Sequence, residues 1–129
     1  MAKTLVLSFI AKDRPGIIDR ISETVSESGG NWLESRMVHL AEKFAGVARV
    51  SVSDDKAFLL ETNLGRLEEE GFHLVIELAA DPEPSDGEIL ILDFIGPDHP
   101  GILHEISHCL ATHKVSVENI RTELESAPM

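Results

Sequence analysis

Asp13-Arg14-Pro15-Gly16-Ile17 closes a run of alternating apolar residues and opens a helical pattern, and it returns 85 residues later as Asp98-His99-Pro100-Gly101-Ile102. Outward from that turn the match continues. Leu5, Leu7, Phe9, Ile10, Ile21, Ser22 and Arg36 fall on Leu90, Leu92, Phe94, Ile95, Ile106, Ser107 and Arg121. With Asp13, Pro15, Gly16 and Ile17 this makes 11 identities over about 36 positions without a gap. A repeat of this kind sets the domain reading before any other feature.

The first copy parses into elements. Residues 4–11 alternate, with Leu5, Leu7 and Phe9 on one face, which predicts a strand. Residues 15–28 predict a helix, with Ile17, Ile18, Ile21 and Val25 at helical spacing and Gly29-Gly30 as its stop. Strands are expected over 32–40 and 44–52, the latter with Ala48, Val50 and Val52 on one face. Asp54-Asp55 opens a second helix with Ala57, Leu60, Leu64 and Leu67 inward, and Gly71 ends it before a fourth strand over 72–80. The order β-α-β-β-α-β implies an α+β, ferredoxin-like domain: a four-stranded antiparallel sheet with both helices on one face.

Domain limits follow: a first domain over 1–80, a linker over 81–87 rich in Asp, Pro and Gly, and a second domain over 88–129. The second copy predicts a strand over 88–95, a helix over 100–113 and a strand over 115–124, a βαβ portion only. Half a fold leaves its helix and sheet half covered. The expectation is either that further sequence completes it or that an exchanged or dimeric partner does.

Composition excludes several function classes. The net charge is −12, with 16 acids and 9 bases up to Gly87, then 7 acids and 2 bases. Both parts would repel nucleic-acid phosphate, so direct DNA or RNA binding is not expected. One cysteine permits no internal disulfide. No signal-like or membrane-length apolar run is present, and a cytoplasmic location is the expectation.

The repeated turn has the chemistry of a small-anion site. Pro15 suits a first helical turn, Asp13 is a candidate cap, and Gly16 leaves the helix mouth bare for a ligand. A helix N-terminus favours a carboxylate or phosphate by about 0.3–1 kcal/mol. Ordinary helix punctuation, copied by duplication, would look the same. On the site reading, Gly16→Val is expected to block the turn and leave the fold intact.

The D-x-P-G-I turn after the first strand, the element order and the tandem copy together resemble ACT domains. These are regulatory modules that bind amino acids or other small metabolites, usually where two such domains meet. Within them, the tandem arrangement and the stretch Gly30-Asn31-Trp32-Leu33-Glu34-Ser35-Arg36-Met37 are similar to the glycine cleavage system regulator group. The resemblance implies ligand contacts at Asp13, Arg14, Pro15, Gly16, Ile17 and Asn31, and at Asp98, His99, Pro100, Gly101, Ile102 and Ser116. Asn31 would reach a ligand held at a neighbouring turn. Ser116 stands where the first copy has Asn31, and His99 where it has Arg14, so the two sites need not be equal.

Other constellations are weaker. His104-Glu105-Ile106-Ser107-His108 fits the H-E-x-x-H string of zinc proteases, but no third ligand follows at a telling spacing. No metal, cofactor or catalytic residue is expected. Cys109, beside the stripe Ile102, Ile106, Leu110, is expected to be a buried structural thiol. Trp32 is expected in the core or at an interface, and Glu68-Glu69-Glu70 on a solvated face. The resemblance therefore implies a non-enzymatic, amino-acid-binding regulator. Its effector would be glycine or serine and its output transcriptional, through a protein partner such as a transcription activator, in a homo-oligomer. The alternatives are the regulatory ACT portion of a metabolic enzyme, similar to those preceding phosphoserine phosphatases, or a dimerisation module without ligand.

Overall fold

A computed structural model describes residues 1–80 and 87–124. The chain divides into two compact units, Met1–Pro84 and Ser85–Met129. Unit 1 contains β1 (Ala2–Lys12), α1 (Ile17–Glu27), β2 (Asn31–Leu40), β3 (Lys43–Ser53), α2 (Ala57–Arg66), a 3-10 turn (Leu67–Glu70) and β4 (His73–Leu78). Its sheet is antiparallel with strand order β2-β3-β1-β4.

Alternation makes this sheet two-faced. Leu5, Leu7 and Phe9 of β1 and Ala48, Val50 and Val52 of β3 all point to the helix side and are buried. Ile17, Ile21 and Val25 of α1, Ala57, Leu60 and Leu64 of α2, and then Leu67 and Phe72 close over them into one cluster. The opposite face carries Ile10, Val38, Val47 and Val75, each at least 42% exposed. Ile18, expected inward, is 43% exposed. It lies about 100° around the helix from Ile17, beyond the stripe that Ile21 and Val25 continue.

Close packing explains two of the glycines. A Cβ on Gly30 would come 2.9 Å from Val25 Cγ1 and 3.2 Å from Val50 Cγ1, so the chain leaves α1 directly over the core. One on Gly46 would come 2.6 Å from Met37 Cγ. The β2–β3 hairpin turns through Ala41 and Glu42, both with positive φ (50° and 63°), the hand that suits the twist of a two-residue hairpin. Asp13 N–H donates to the Glu42 carbonyl at 3.0 Å, which ties the β1–α1 turn to this hairpin.

The helices are locked at their ends. Asn63 Nδ2 donates to the buried Ser28 Oγ at 2.9 Å, linking α2 to the end of α1. Arg20 grips Glu70 with two hydrogen bonds, Nε to Oε1 at 2.9 Å and Nη2 to Oε2 at 2.8 Å. One member of the acidic triplet is thus paired. The Arg20 bond, ahead of the more distant Arg14 charge, holds the Glu70 carboxyl below its usual value of 4.5. A lowered folded-state value means the contribution is present above the unfolded value and lost as pH falls through the folded one. Unit 1 should lose stability below about pH 4.5, and Glu70→Gln should make that loss shallower by lowering stability at pH 7 while changing little at acid pH. Urea midpoints followed across pH check this; parallel pH profiles would assign the acid sensitivity elsewhere.

Unit 2 differs. Its one regular element among the described residues is α3 (Ile102–Thr112). Residues 88–95 and 115–124, expected as strands, form no ladder. The order in unit 1 supplies the reason: β3 stands between β1 and β2, so the two strands of a βαβ half are not neighbours and have nothing to bond. No described residue of unit 2 is buried. Cys109 is accordingly exposed, not the buried thiol expected, because no sheet covers its helix within the unit. Of the expected linker only Gly87 is described; residues 81–86, like the end of the second domain at 125–129, lie outside the described residues.

Candidate functional site

Both copies of the turn fold alike. Gly16 is the N-cap of α1 with φ 85° and ψ 6°; Gly101 is the N-cap of α3 with φ 86° and ψ 5°. Each glycine carbonyl accepts the first helical bond, from Arg20 N–H at 2.9 Å and from Glu105 N–H at 3.0 Å. Neither helix has a side-chain cap. A Cβ added at either glycine would meet nothing within 4 Å. The result is a bare helix mouth whose leading N–H groups have no intrahelical partner, with the partial positive charge that attracts a carboxylate.

The flanking residues do not sit as the sequence suggested. The cap is Gly16, so Pro15 precedes the helix instead of lying in its first turn. Asp13 does not cap: its Oδ2 lies 3.4 Å from His39 Nε2 at the end of β2. Geometry decides this, since the Gly16 turn carries the chain past the helix mouth and leaves Asp13 three residues outside it. Arg14 lies over the ring of buried Phe72, 6.0 Å from its centroid, on the β4 side. In unit 2, His99 Nε2 approaches Glu105 Oε2 at 3.7 Å and its Nδ1 lies 3.1 Å from the Pro100 carbonyl. Here Ile102 N–H donates to the His99 carbonyl at 3.3 Å.

Within unit 1, Asn31 and the Asp13–Gly16 turn do not meet. Asn31 pairs with Ser51, which pairs with Thr4, whereas the turn follows Lys12 at the other end of β1. Eight residues of strand separate them, about 27 Å. A ligand touching both an Asn31 and a turn must lie between two domains. Asn31 instead borders a shallow groove with Ser22, Val25, Ser26, Gly30 and Trp32, beneath the end of α1. Trp32 packs partly against the core and donates from Nε1 to Ser35 Oγ at 3.1 Å. Sequence reading did not find this groove; its one signal was the Gly-Gly-Asn-Trp succession after the helix.

The histidine-rich helix gathers no metal centre. His104 and His108 rings lie 5.9 Å apart on an exposed face, and Cys109 Sγ is 4.0 Å from His113 Nδ1. Among the described residues no three His, Cys, Asp or Glu side chains converge on one point. Nor, among them, is any helix long and apolar enough to cross a membrane.

Comparison with known proteins gives these features a context. The sequence pattern of the ACT domain family matches residues 3–77 and again 88–123. The chain is 25% identical over 125 residues to the glycine cleavage system transcriptional repressor of Escherichia coli K12, covering 95% of this chain. It spans 66% of that repressor's length. The crystal structure of a candidate glycine cleavage system transcriptional repressor superposes with a TM-score of 0.70 at 19% identity, covering 98% of this chain and 74% of that one. A formyltetrahydrofolate deformylase from Pseudomonas putida KT2440 shares the fold at a TM-score of 0.51 and 18% identity, over 60% of this chain and 29% of the enzyme.

Proposed function

This chain belongs to the ACT domain family, and from that premise we propose that it is a non-enzymatic regulator that senses a small amino acid, glycine first, and controls transcription through a protein partner. The observation carrying the reading is the pair of uncapped helix mouths at Gly16 and Gly101, alike in backbone conformation and open in front. A free amino acid offers the carboxylate such a mouth attracts. Its ammonium could be met by a side chain such as Asp13 or Asp98, and Asn31 or Ser116 would come from a neighbouring domain. The likeness to the repressor supports the transcriptional output. The net charge of −12 supports control through a protein, such as a transcription activator, over direct contact with DNA. A cytoplasmic location belongs to the same reading.

Magnitude limits the affinity. Glycine has five non-hydrogen atoms; at about −1.5 kcal/mol per atom its binding cannot exceed ~−7.5 kcal/mol, a Kd of a few μM. Calorimetry on the whole chain with glycine, serine and larger amino acids is the test. We expect heat with glycine or serine, and a loss of about tenfold in Asn31→Ala, the size of one hydrogen bond. Absence of heat with every amino acid would leave only a dimerisation module.

The fold shared with the deformylase favours one second reading, the regulatory portion of a metabolic enzyme. Transcript levels separate the two. Under the regulator reading, deleting the gene uncouples glycine-degrading genes from added glycine; under the enzyme reading it does not.

A further inference from the structure

We infer that the cleft between α1 and α2 of unit 1 binds a short ω-amino acid, with its carboxylate at Arg66 and its ammonium at Glu27 and Asn63. The cleft is lined by Arg20, Thr24, Glu27 and Ser28 from α1 and its C-cap, and by Asn63 and Arg66 from α2. None of these residues belongs to the repeated turn. The inference therefore stands apart from the ligand proposed for the glycine mouths.

The floor of the cleft is polar where a helix–helix seam is ordinarily apolar. Among the described residues, Thr24 and Ser28 are the buried polar ones, 5% and 1% exposed. They stand one turn apart on the side of α1 that meets α2. Thr24 Oγ1 donates to the Arg20 carbonyl at 2.9 Å and accepts from Arg20 Nη1 at 3.2 Å. Ser28 Oγ accepts from Asn63 Nδ2. Above this floor the seam opens into about 190 Å³, the share of roughly six waters. Sites for drug-sized molecules run to ~300–1,000 Å³, so the occupant is small.

The walls carry opposite charges that do not meet. Arg20 is held by Glu70. Arg66 and Glu27 line the same cleft, yet among the described residues neither makes an ion pair. Glu27 lies in the last turn of α1, and that turn has no base to balance the negative end of its helix. Asn63 Oδ1 accepts no hydrogen bond among the described residues. Acceptors therefore gather on this side, and an ammonium brings three donors to them. Opposite, Arg66 offers the planar fork that fits a carboxylate.

Spacing selects the ligand length. The helices are antiparallel here, since Asn63 meets Ser28 and Glu70 meets Arg20, so Arg66 lies a turn closer to Arg20 than Asn63 does. Arg66 and Glu27 face each other across the seam, and packed helix axes stand about 8–10 Å apart. An α-amino acid carries both charges on one carbon and is short for that span. Three methylenes between the charged groups, with a charge-assisted bond of about 2.8 Å at each end, bridge it. A molecule with one charge leaves one wall unmet.

Titration calorimetry on the full chain with 4-aminobutyrate, butyrate, butylamine and glycine tests this. 4-Aminobutyrate should bind, and saturating glycine should not change its affinity. Butyrate and butylamine should each bind at least ~tenfold more weakly, because each lacks one charged contact. Arg66→Met and Glu27→Gln should each weaken 4-aminobutyrate by about tenfold or more. Both side chains are exposed, so the urea midpoint read from Trp32 should stay in place in either variant. No heat with 4-aminobutyrate, its displacement by glycine, equal affinity for butyrate, or full affinity in both variants overturns the inference. Heat with glycine alone overturns it too, and leaves the regulator reading standing.

Discussion

Replacing Leu7 by alanine lowers the unfolding free energy of unit 1 by about 2–5 kcal/mol, while the same change at Leu92, its counterpart in the repeat, moves it by less than about 0.5 kcal/mol. Leu7 is fully buried on the central strand, under both helices, where truncation removes transfer energy and leaves a cavity. Leu92 is 67% exposed in a unit whose described residues include none that is buried. The chain has one tryptophan, Trp32, packed against the core of unit 1, so its fluorescence in urea reports that unit alone. Equal losses at the two positions would mean that the units unfold as one.

The second large effect is at the turn. Gly16→Val costs unit 1 about 1–2 kcal/mol, because φ of 85° puts an L side chain in the left-handed region and a β-branched residue tolerates it worst. Nothing lies within 4 Å of the added Cβ, so this is backbone strain without collision. The fold is still expected intact in this variant, at reduced stability. A lost ligand response in Gly16→Val would mix strain with steric block, which makes exposed Asn31 the cleaner probe. Gly101→Val should leave the Trp32 transition unmoved; a shift there equal to that of Gly16→Val would refute the assignment of the strain to unit 1.

Local periodicity carried most of unit 1. The alternation of Leu5, Leu7 and Phe9, the spacing of Ile17, Ile21 and Val25, and the stops at Gly29 and Gly71 are properties of neighbouring residues. Each appears in the structure within a residue or two of its expected place. The same locality led to errors where burial depends on distant chain. Ile18 has helical spacing but lies off the stripe, and Cys109 sits beside an apolar stripe that no sheet covers within its unit. Pattern in 88–95 is as strand-like as in 4–11, yet a strand exists only when a neighbour accepts and donates its bonds.

The sequence by itself determined that one turn occurs twice, that a glycine stands at each helix mouth, and that the chain carries a net charge of −12. Those are statements about residue identity, order and charge. Only the tertiary structure decided that the helix cap is Gly16 and not Asp13, that Asp13 turns to His39, and that Asn31 lies a full strand length from the turn of its own domain. Strand order is a non-local pairing, and it also explains why the second copy of the turn stands on a helix without a sheet: the strand that would join its neighbours belongs to the other half of the fold.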